Sequence, residues 1–428
     1  MAIKIVTFGC RLNSYESEVI REKSASAGLD KLKGDAIIFN TCAVTAEAVR
    51  QAKQAIRKAK RENPYARIVV TGCAAQTEAE NFALMTEVDF VLGNEEKLHT
   101  HSYRQFPDFG INHDEKLRVN DIMEVRNIAP HMVGAIEGRT RVFVQVQNGC
   151  DHRCTFCIIP YSRGPSRSVP MGTIIEQIKK FIGNGVQEVV LTGVDLTSYG
   201  ADLPGKASLG KLVSAILHHV PDLPRLRLSS IDSIEIDQEL IDLLAYEKRI
   251  MPYLHLSLQA GSNMILKRMK RRHLRENAIQ FCQDLRAKRP TMVYGADLIA
   301  GFPTETEEMF QNSLALIDEC NLTHLHVFPF SPRKGTPAAR MPQVNREIIK
   351  IRAEKLRNAG KKAYQKHLAH LKNSQQIILV EKNEIGRIED YTLTHIKGTK
   401  AGTIIKALII GHDGNKLIAE HTKWNAAY

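Results

Sequence analysis

No apolar run in this 428-residue chain reaches the roughly 18 residues that a membrane-spanning helix needs. The first ten residues also lack the long apolar core of a secretory signal: Lys4 interrupts a short stretch and Arg11 follows it. Membrane insertion and export are therefore not expected, and a cytoplasmic location is. Internal repeats and low-complexity tracts are missing too, which argues against a solenoid or a long disordered linker. What remains is an ordinary globular balance, 43% hydrophobic and 25% charged. At roughly 100–200 residues per domain, the length suggests two to four domains. Acidic residues are the scarcer sign: 47 Asp and Glu against 59 Lys and Arg give a net charge of +12, which favours an anionic partner such as nucleic acid.

Three segments differ in pattern. Residues 1–125 hold strand-like apolar runs at 3–8, 35–39 and 67–70, with helical patterns at 15–27 and 46–60 between them. Strands alternating with helices imply a parallel sheet. Residues 99–139 are poorly periodic and read as a loop-rich connector. The second segment, 139–368, has six strand candidates at 141–147, 188–192, 225–230, 253–259, 292–299 and 322–328. Helical patterns separate most of them, including one long pattern at 263–289, so a (β/α)6 partial barrel is expected. Its reactive residues belong at the C-terminal ends of the strands. After a basic helix at 345–372 the pattern turns to short alternating strands, 377–381, 386–388, 391–397, 402–410 and 417–420, within a small all-β module assigned to 369–428. The expected class is thus α/β, with a terminal β barrel.

Eight cysteines are present, and in a reducing cytosol clustered cysteines more often bind metal or react than form disulfides. The sharpest cluster is Cys150, Cys154 and Cys157, spaced Cys-x3-Cys-x2-Cys directly after the first barrel strand. Three close thiolates suit a 4Fe–4S cluster, with one iron left open to chelate an amino and a carboxylate group. A zinc site, to which His152 would lend a ligand, normally pairs two short knuckles, and a second Cys-x2-Cys is lacking. Cys10, Cys42 and Cys73 stand 32 and 31 residues apart, each at the end of a predicted strand. In a parallel sheet such ends share the edge where α/β sheets bind ligands, which points to a second metal site; three buried structural cysteines are the bland alternative. Cys282 and Cys320 fall in helical patterns and read as core.

The central motif resembles the radical S-adenosylmethionine superfamily. Two cysteine triads followed by a small β module resemble, over essentially the whole chain, its methylthiotransferase family. The stretches Cys157-Ile-Ile-Pro-Tyr-Ser-Arg-Gly164, Leu254-His-Leu-Ser-Leu-Gln-Ala-Gly-Ser262 and Asp297-Leu-Ile-Ala-Gly-Phe-Pro-Thr-Glu-Thr306 are similar to family motifs. Thr7-Phe-Gly-Cys-Arg-Leu-Asn-Ser-Tyr-Glu16 and Asn40-Thr-Cys-Ala-Val-Thr45 look most like the branch acting on N6-threonylcarbamoyladenosine at tRNA position 37. The resemblance implies two 4Fe–4S clusters, on Cys150/Cys154/Cys157 and on Cys10/Cys42/Cys73, with S-adenosylmethionine as cofactor. It implies that one S-adenosylmethionine donates a methyl group to sulfur at the second cluster. Cleavage of another at the first yields a 5′-deoxyadenosyl radical that takes hydrogen from C2 of the adenine. It further implies a TRAM-like RNA-binding module, a tRNA anticodon stem-loop as partner, and an electron donor such as a flavodoxin or ferredoxin. The alternatives are the same chemistry on isopentenyladenosine-37 or on a ribosomal-protein aspartate, and, more distantly, a zinc-containing RNA-binding protein without enzymatic activity.

Around the barrel mouth, Gly193 and Asp195 end the second strand, Ser230 the third and Gln259 the fourth. All four are candidate cofactor contacts. Each also reads as an ordinary strand-end group seeking a partner. Asp297, an acid in an apolar strand, is an active-site candidate because unpaired buried acids are costly. His324 and His326 read as satisfied inward-facing polar residues. The run from Lys267 to Arg272 and the basic helices offer an RNA backbone contact or simply a solvated face.

Overall fold

The computed structural model describes residues 3–28, 35–104, 116–126, 139–205 and 207–421. Of the expected connector, residues 105–115 and 127–138 lie outside the described residues, as do 422–428 of the last module.

The N-terminal sheet joins β1 (Ile3–Thr7), β2 (Ala36–Thr41), β3 (Arg67–Gly72), β4 (Phe90–Leu92) and β5 (Leu117–Arg118) in chain order, every pair parallel. β2 is buried at all six positions, the continuous run of a strand covered on both faces. Between β2 and β3 runs the helix Ala46–Glu62, begun by the Thr45 hydroxyl accepting from the Ala48 N–H and packed through Val49, Ala52 and Ile56. Because all five strands run the same way, every carboxyl end opens on one edge. β4 and β5 were absent from the sequence reading because three- and two-residue strands carry no periodic signal.

The central unit follows the expected six β–α steps. β6 (Arg141–Gln145) is followed by a hairpin of β7 (Gln147–Asn148) and β8 (Arg167–Ser168). Then come β9 (Glu188–Thr192), β10 (Arg225–Leu228), β11 (Ser230–Ile231), β12 (Tyr253–Gln259), β13 (Val293–Ala300) and β14 (Leu322–Pro329). They form two parallel sheets, β6-β9-β10 and β11-β12-β13-β14, with only Ser229 between β10 and β11, so the wall is a kinked partial barrel. The helix expected at 263–289 is two, Asn263–Arg268 and Arg275–Lys288. Lys270, at φ 58°, breaks the run.

The helix Arg346–His370 lies against β14 and leads to a closed five-stranded barrel, β15 (Gln375–Lys382), β16 (Ile385–Ile388), β17 (Leu393–Ile396), β18 (Ile404–His412) and β19 (Leu417–His421), in the order β15-β16-β17-β19-β18. Tyr391, expected in a strand, instead has φ 78° and sits in the turn before β17. This small barrel docks on the partial barrel through arginines: Arg225 and Arg227 donate to the Ile377 and Glu389 carbonyls at 3.0 Å each, and Arg141 pairs with Glu381 at 2.8 Å.

Candidate functional site

The β7–β8 hairpin pins both ends of the loop that carries Cys150, Cys154 and Cys157. Gly149 turns the chain at φ 76°, and a Cβ there would stand 1.8 Å from the Pro165 carbonyl oxygen, so only glycine fits. The Cys150 N–H donates to Gly164 O, and the Thr155 N–H and hydroxyl tie the loop to Met269 O and Arg268 O. Arg271, its side chain 8% exposed, points at Cys154 Sγ (3.9 Å) while donating to Asp232 and the Ser257 carbonyl. Burial pushes the Cys157 thiol up to about 12; burial and then the Asp195 carboxylate push Cys150 up as well.

The N-terminal three assemble differently. β1, β2 and β3 end at Thr7, Thr41 and Gly72, so the cysteines occupy the turns just beyond the strands rather than the strands themselves. Cys10 precedes the helix Arg11–Ser26 as its N-cap, and Cys73 opens a short helix. Gly9, at φ 95°, lets the Cys42 side chain in: a Cβ on Gly9 would lie 2.8 Å from Cys42 Cβ and 3.0 Å from its Sγ. Burial lifts the Cys42 thiol to about 12, helped by the thiols of Cys73 and Cys10. The topology thus brings all three together. All six cysteines are free, in two groups, and burial disfavours a bare thiolate at Cys42 in one and at Cys150 and Cys157 in the other. Such groups fit a soft metal centre, whose cations supply the missing charge and displace the protons.

Sequence reasoning missed what joins the two groups. Glu16, 1% exposed, accepts from Arg163 at 2.8 and 3.0 Å and from Lys97 at 2.7 Å. Burial alone would raise its carboxyl, but the guanidinium and the ammonium hold it down at about 2. Arg163 also donates to Asn13 (2.7 Å) and Asn148 (3.0 Å); Lys97 donates to Asn94 (2.7 Å), which donates to Ser162 O and faces Cys73 Sγ at 3.8 Å. Arg163 and Ser162 belong to the short helix Ile159–Arg163 that follows Cys157, so this network fastens the N-terminal sheet edge to the barrel's cysteine segment. Its signal in the sequence was only the presence of Glu16 and Arg163 within two separate motifs.

Between the sheet edge and the barrel lies a cavity of about 650 Å3, within the range of small-molecule sites. Gly9, Cys10, Arg11 and Cys42 line one side; Gly193, Ser230 and Gln259 line the other. Phe156, from the barrel's cysteine loop, lines it, while Cys73, Cys150, Cys154 and Cys157 are not among its lining residues. Gln259 holds φ 69°, a strained conformation for a residue with a side chain. Asp195, expected beside Gly193, is not among the lining residues; it accepts from His152 (2.9 Å) and Ser198 (2.7 Å) and faces Cys150 Sγ at 3.8 Å.

Asp297 does line the cavity, accepting from His255 (2.9 Å) and His326 (3.2 Å). Burial opposes its charge, but the two imidazoles hold its carboxyl well below the usual range. His255 contacts the Tyr253 hydroxyl at 3.0 Å through its other nitrogen. His324 corrects an expectation: half-buried beside Tyr253 and pushed down to about 3 by desolvation, it leaves Nε2 without a hydrogen bond. The basic run 267–272 is likewise less free than expected, since Arg271 turns inward and Arg272 contacts His152 and Glu235.

Comparisons with known proteins agree with this arrangement. The radical SAM superfamily profile matches residues 144–317, and that described as "Uncharacterized protein family UPF0004" matches residues 2–93. The chain is similar to the threonylcarbamoyladenosine tRNA methylthiotransferase MtaB of Rickettsia prowazekii, with 53% identity over 95% of this chain and 94% of the relative. The same-named protein of Aquifex aeolicus is 35% identical over 96% and 100%. A tRNA-2-methylthio-N(6)-dimethylallyladenosine synthase of Natranaerobius thermophilus is 32% identical over 96% and 94%. Among solved structures, the radical S-adenosylmethionine methyltransferase TsrM of Kitasatospora setae superposes with a TM-score of 0.55 at 14% identity, covering 79% of this chain and 74% of that one, a likeness of fold.

Proposed function

Since the chain belongs to the tRNA methylthiotransferase family of radical S-adenosylmethionine enzymes, we propose that it converts N6-threonylcarbamoyladenosine at tRNA position 37 to its 2-methylthio derivative. The observation that carries the substrate choice is the 53% identity, across nearly the full length, to a relative named for threonylcarbamoyladenosine, against 32% for one named for dimethylallyladenosine. Enzymes of this family use S-adenosylmethionine and 4Fe–4S clusters. In our reading Cys150, Cys154 and Cys157 hold one cluster and Cys10, Cys42 and Cys73 the other. The reading is supported by two groups of free cysteines, with burial raising the Cys42 thiol in one and those of Cys150 and Cys157 in the other. When bound, the clusters and S-adenosylmethionine supply the one-electron chemistry that breaks an unactivated aryl C–H bond and the sulfur that replaces the hydrogen.

The chain's own residues bind, orient and shield. Gly193 and Ser230, on the barrel side of the cavity, are the proposed contacts to S-adenosylmethionine, with Gln259 held in its strained conformation for the same task. Asp195 acts one step back, fixing His152 and the start of the cysteine loop rather than touching the cofactor. Phe156, Phe328 and Phe330 line the cavity with apolar surface, which keeps water from a reactive centre. The Glu16–Lys97–Arg163 network holds the sheet edge against the barrel, so groups on two separate folds meet one substrate in a fixed geometry. The TRAM-like barrel from Gln375 to His421 and the basic surface bind the tRNA. A flavodoxin or ferredoxin delivers electrons, and the setting is cytoplasmic.

The test is tRNA nucleoside analysis by mass spectrometry in cells with and without the protein. The reading expects methylthio-threonylcarbamoyladenosine to vanish on deletion and to return with the wild type but not with Cys154→Ala. Loss instead of methylthio-isopentenyladenosine, or of the mark on a ribosomal-protein aspartate, would keep the family and overturn the substrate.

A further inference from the structure

We propose that Arg11 binds the carboxylate of the substrate's threonyl substituent and is the residue that sets this enzyme's choice of modified adenosine. The inference rests on the substrate reading above and deepens it. Arg11 follows Cys10 directly and lines the cavity from the sheet side. Its guanidinium has no ion pair or hydrogen bond among the described residues; its recorded contact is the face of the Tyr391 ring, 5.3 Å away. Three other arginines crowd that ring, Arg141 at 5.3 Å, Arg227 at 5.1 Å and Arg387 at 4.6 Å. Each of those reaches a carboxylate: Arg227 pairs with Glu188 (2.9 Å), and Arg141 and Arg387 share Glu381 (2.8 Å each). Four guanidinium groups around the ring thus meet two paired carboxylates, and Arg11, which lines the cavity, pairs with neither.

The chemistry of the candidate substrates separates on this point. A threonylcarbamoyl group joins threonine through its amine, so it ends in a free carboxylate and a hydroxyl. A dimethylallyl group ends in hydrocarbon. A guanidinium offers a planar fork of donors that matches a carboxylate in two bonds. Against hydrocarbon the same fork would be desolvated with nothing to bond, which turns recognition into rejection. The other charged group in the cavity, Asp297, is anionic and already engaged by His255 and His326. It repels a second carboxylate from the barrel wall and leaves the Arg11 side as the place for it.

The experiment is a binding cycle on the holoenzyme, using anticodon stem-loops that carry threonylcarbamoyladenosine, its carboxyl methyl ester or isopentenyladenosine at position 37. For the wild type, esterification is expected to weaken binding by about ten- to a hundred-fold, the worth of a hydrogen bond to a charged group. Arg11→Gln should lose as much on the acid and nothing further on the ester, and Arg11→Lys should recover part of the loss. Iron content checks that the neighbouring Cys10 site survives; if Arg11→Gln loses its iron, Arg11→Lys gives the same cycle at smaller amplitude. Equal weakening of acid and ester by the variant would make Arg11 structural, and a wild type indifferent to esterification would remove the carboxylate contact; either overturns the inference while the substrate reading stands. A wild type that binds the isopentenyl stem-loop as tightly as the threonylcarbamoyl one would overturn the substrate reading itself, and the inference with it.

Discussion

The two cysteine groups are built by opposite means. Cys150, Cys154 and Cys157 sit on one short loop, clamped at its ends by the β7–β8 pair and closed by Gly149. Cys10, Cys42 and Cys73 come from three turns and meet only because β1, β2 and β3 are parallel and in register. The first group is a property of a motif, and the second is a property of a sheet. A local loop tolerates changes elsewhere in the chain, whereas the sheet-built group depends on everything that holds the edge, above all the buried network around Glu16.

The largest expected effect tests whether the groups have separate tasks. Cys154→Ala should abolish both S-adenosylmethionine cleavage and methylthiolation. Cys42→Ala should abolish methylthiolation yet still release 5′-deoxyadenosine under reducing conditions; parallel product assays on the two variants read this directly. Loss of cleavage in Cys42→Ala would mean the groups do not work independently.

Next in size is the network. Glu16→Gln leaves Arg163 and Lys97 as buried cations without their carboxylate and should cost about 3–5 kcal/mol, measured by chemical denaturation. The pH dependence has a defined sign. The Glu16 carboxyl titrates at about 2 when folded against an ordinary 4.5, so its stabilisation is complete above about 4.5 and is lost as the pH falls toward 2. Acid titration of wild type should show a loss of stability in that window that Glu16→Gln lacks.

Smaller and more selective is Gly9→Ala. The added methyl group meets Cys42 and forces a positive φ on alanine, a strain of about 1–3 kcal/mol. Iron analysis should find the N-terminal site depleted and the barrel site intact. Smallest is Cys282→Ala, a core change expected to cost about 1 kcal/mol with no loss of iron, since Cys282 packs in the barrel core and contacts Cys320.

The sequence revealed the local group almost completely, because spacing within one loop survives in one dimension. The strands that build the other group were equally legible as apolar runs, and the parallel order made their meeting predictable. What escaped was contact between distant positions. Glu16 and Arg163 are 147 residues apart, and nothing in either neighbourhood announces the other. Tyr391 reads as strand because its flanks alternate, yet it holds a left-handed backbone and stacks on Tyr253 from the distant partial barrel. Asp195 was legible as a strand-end acid, but its contacts to His152 and Cys150 were not.

The most direct measurement of the central claim is the iron and sulfide content, with Mössbauer spectra, of anaerobically reconstituted triple variants, one lacking Cys10, Cys42 and Cys73 and one lacking Cys150, Cys154 and Cys157. The account predicts that each retains about half of the wild-type iron as a single 4Fe–4S cluster. Full iron in either variant would contradict it, because that triad would then hold no cluster.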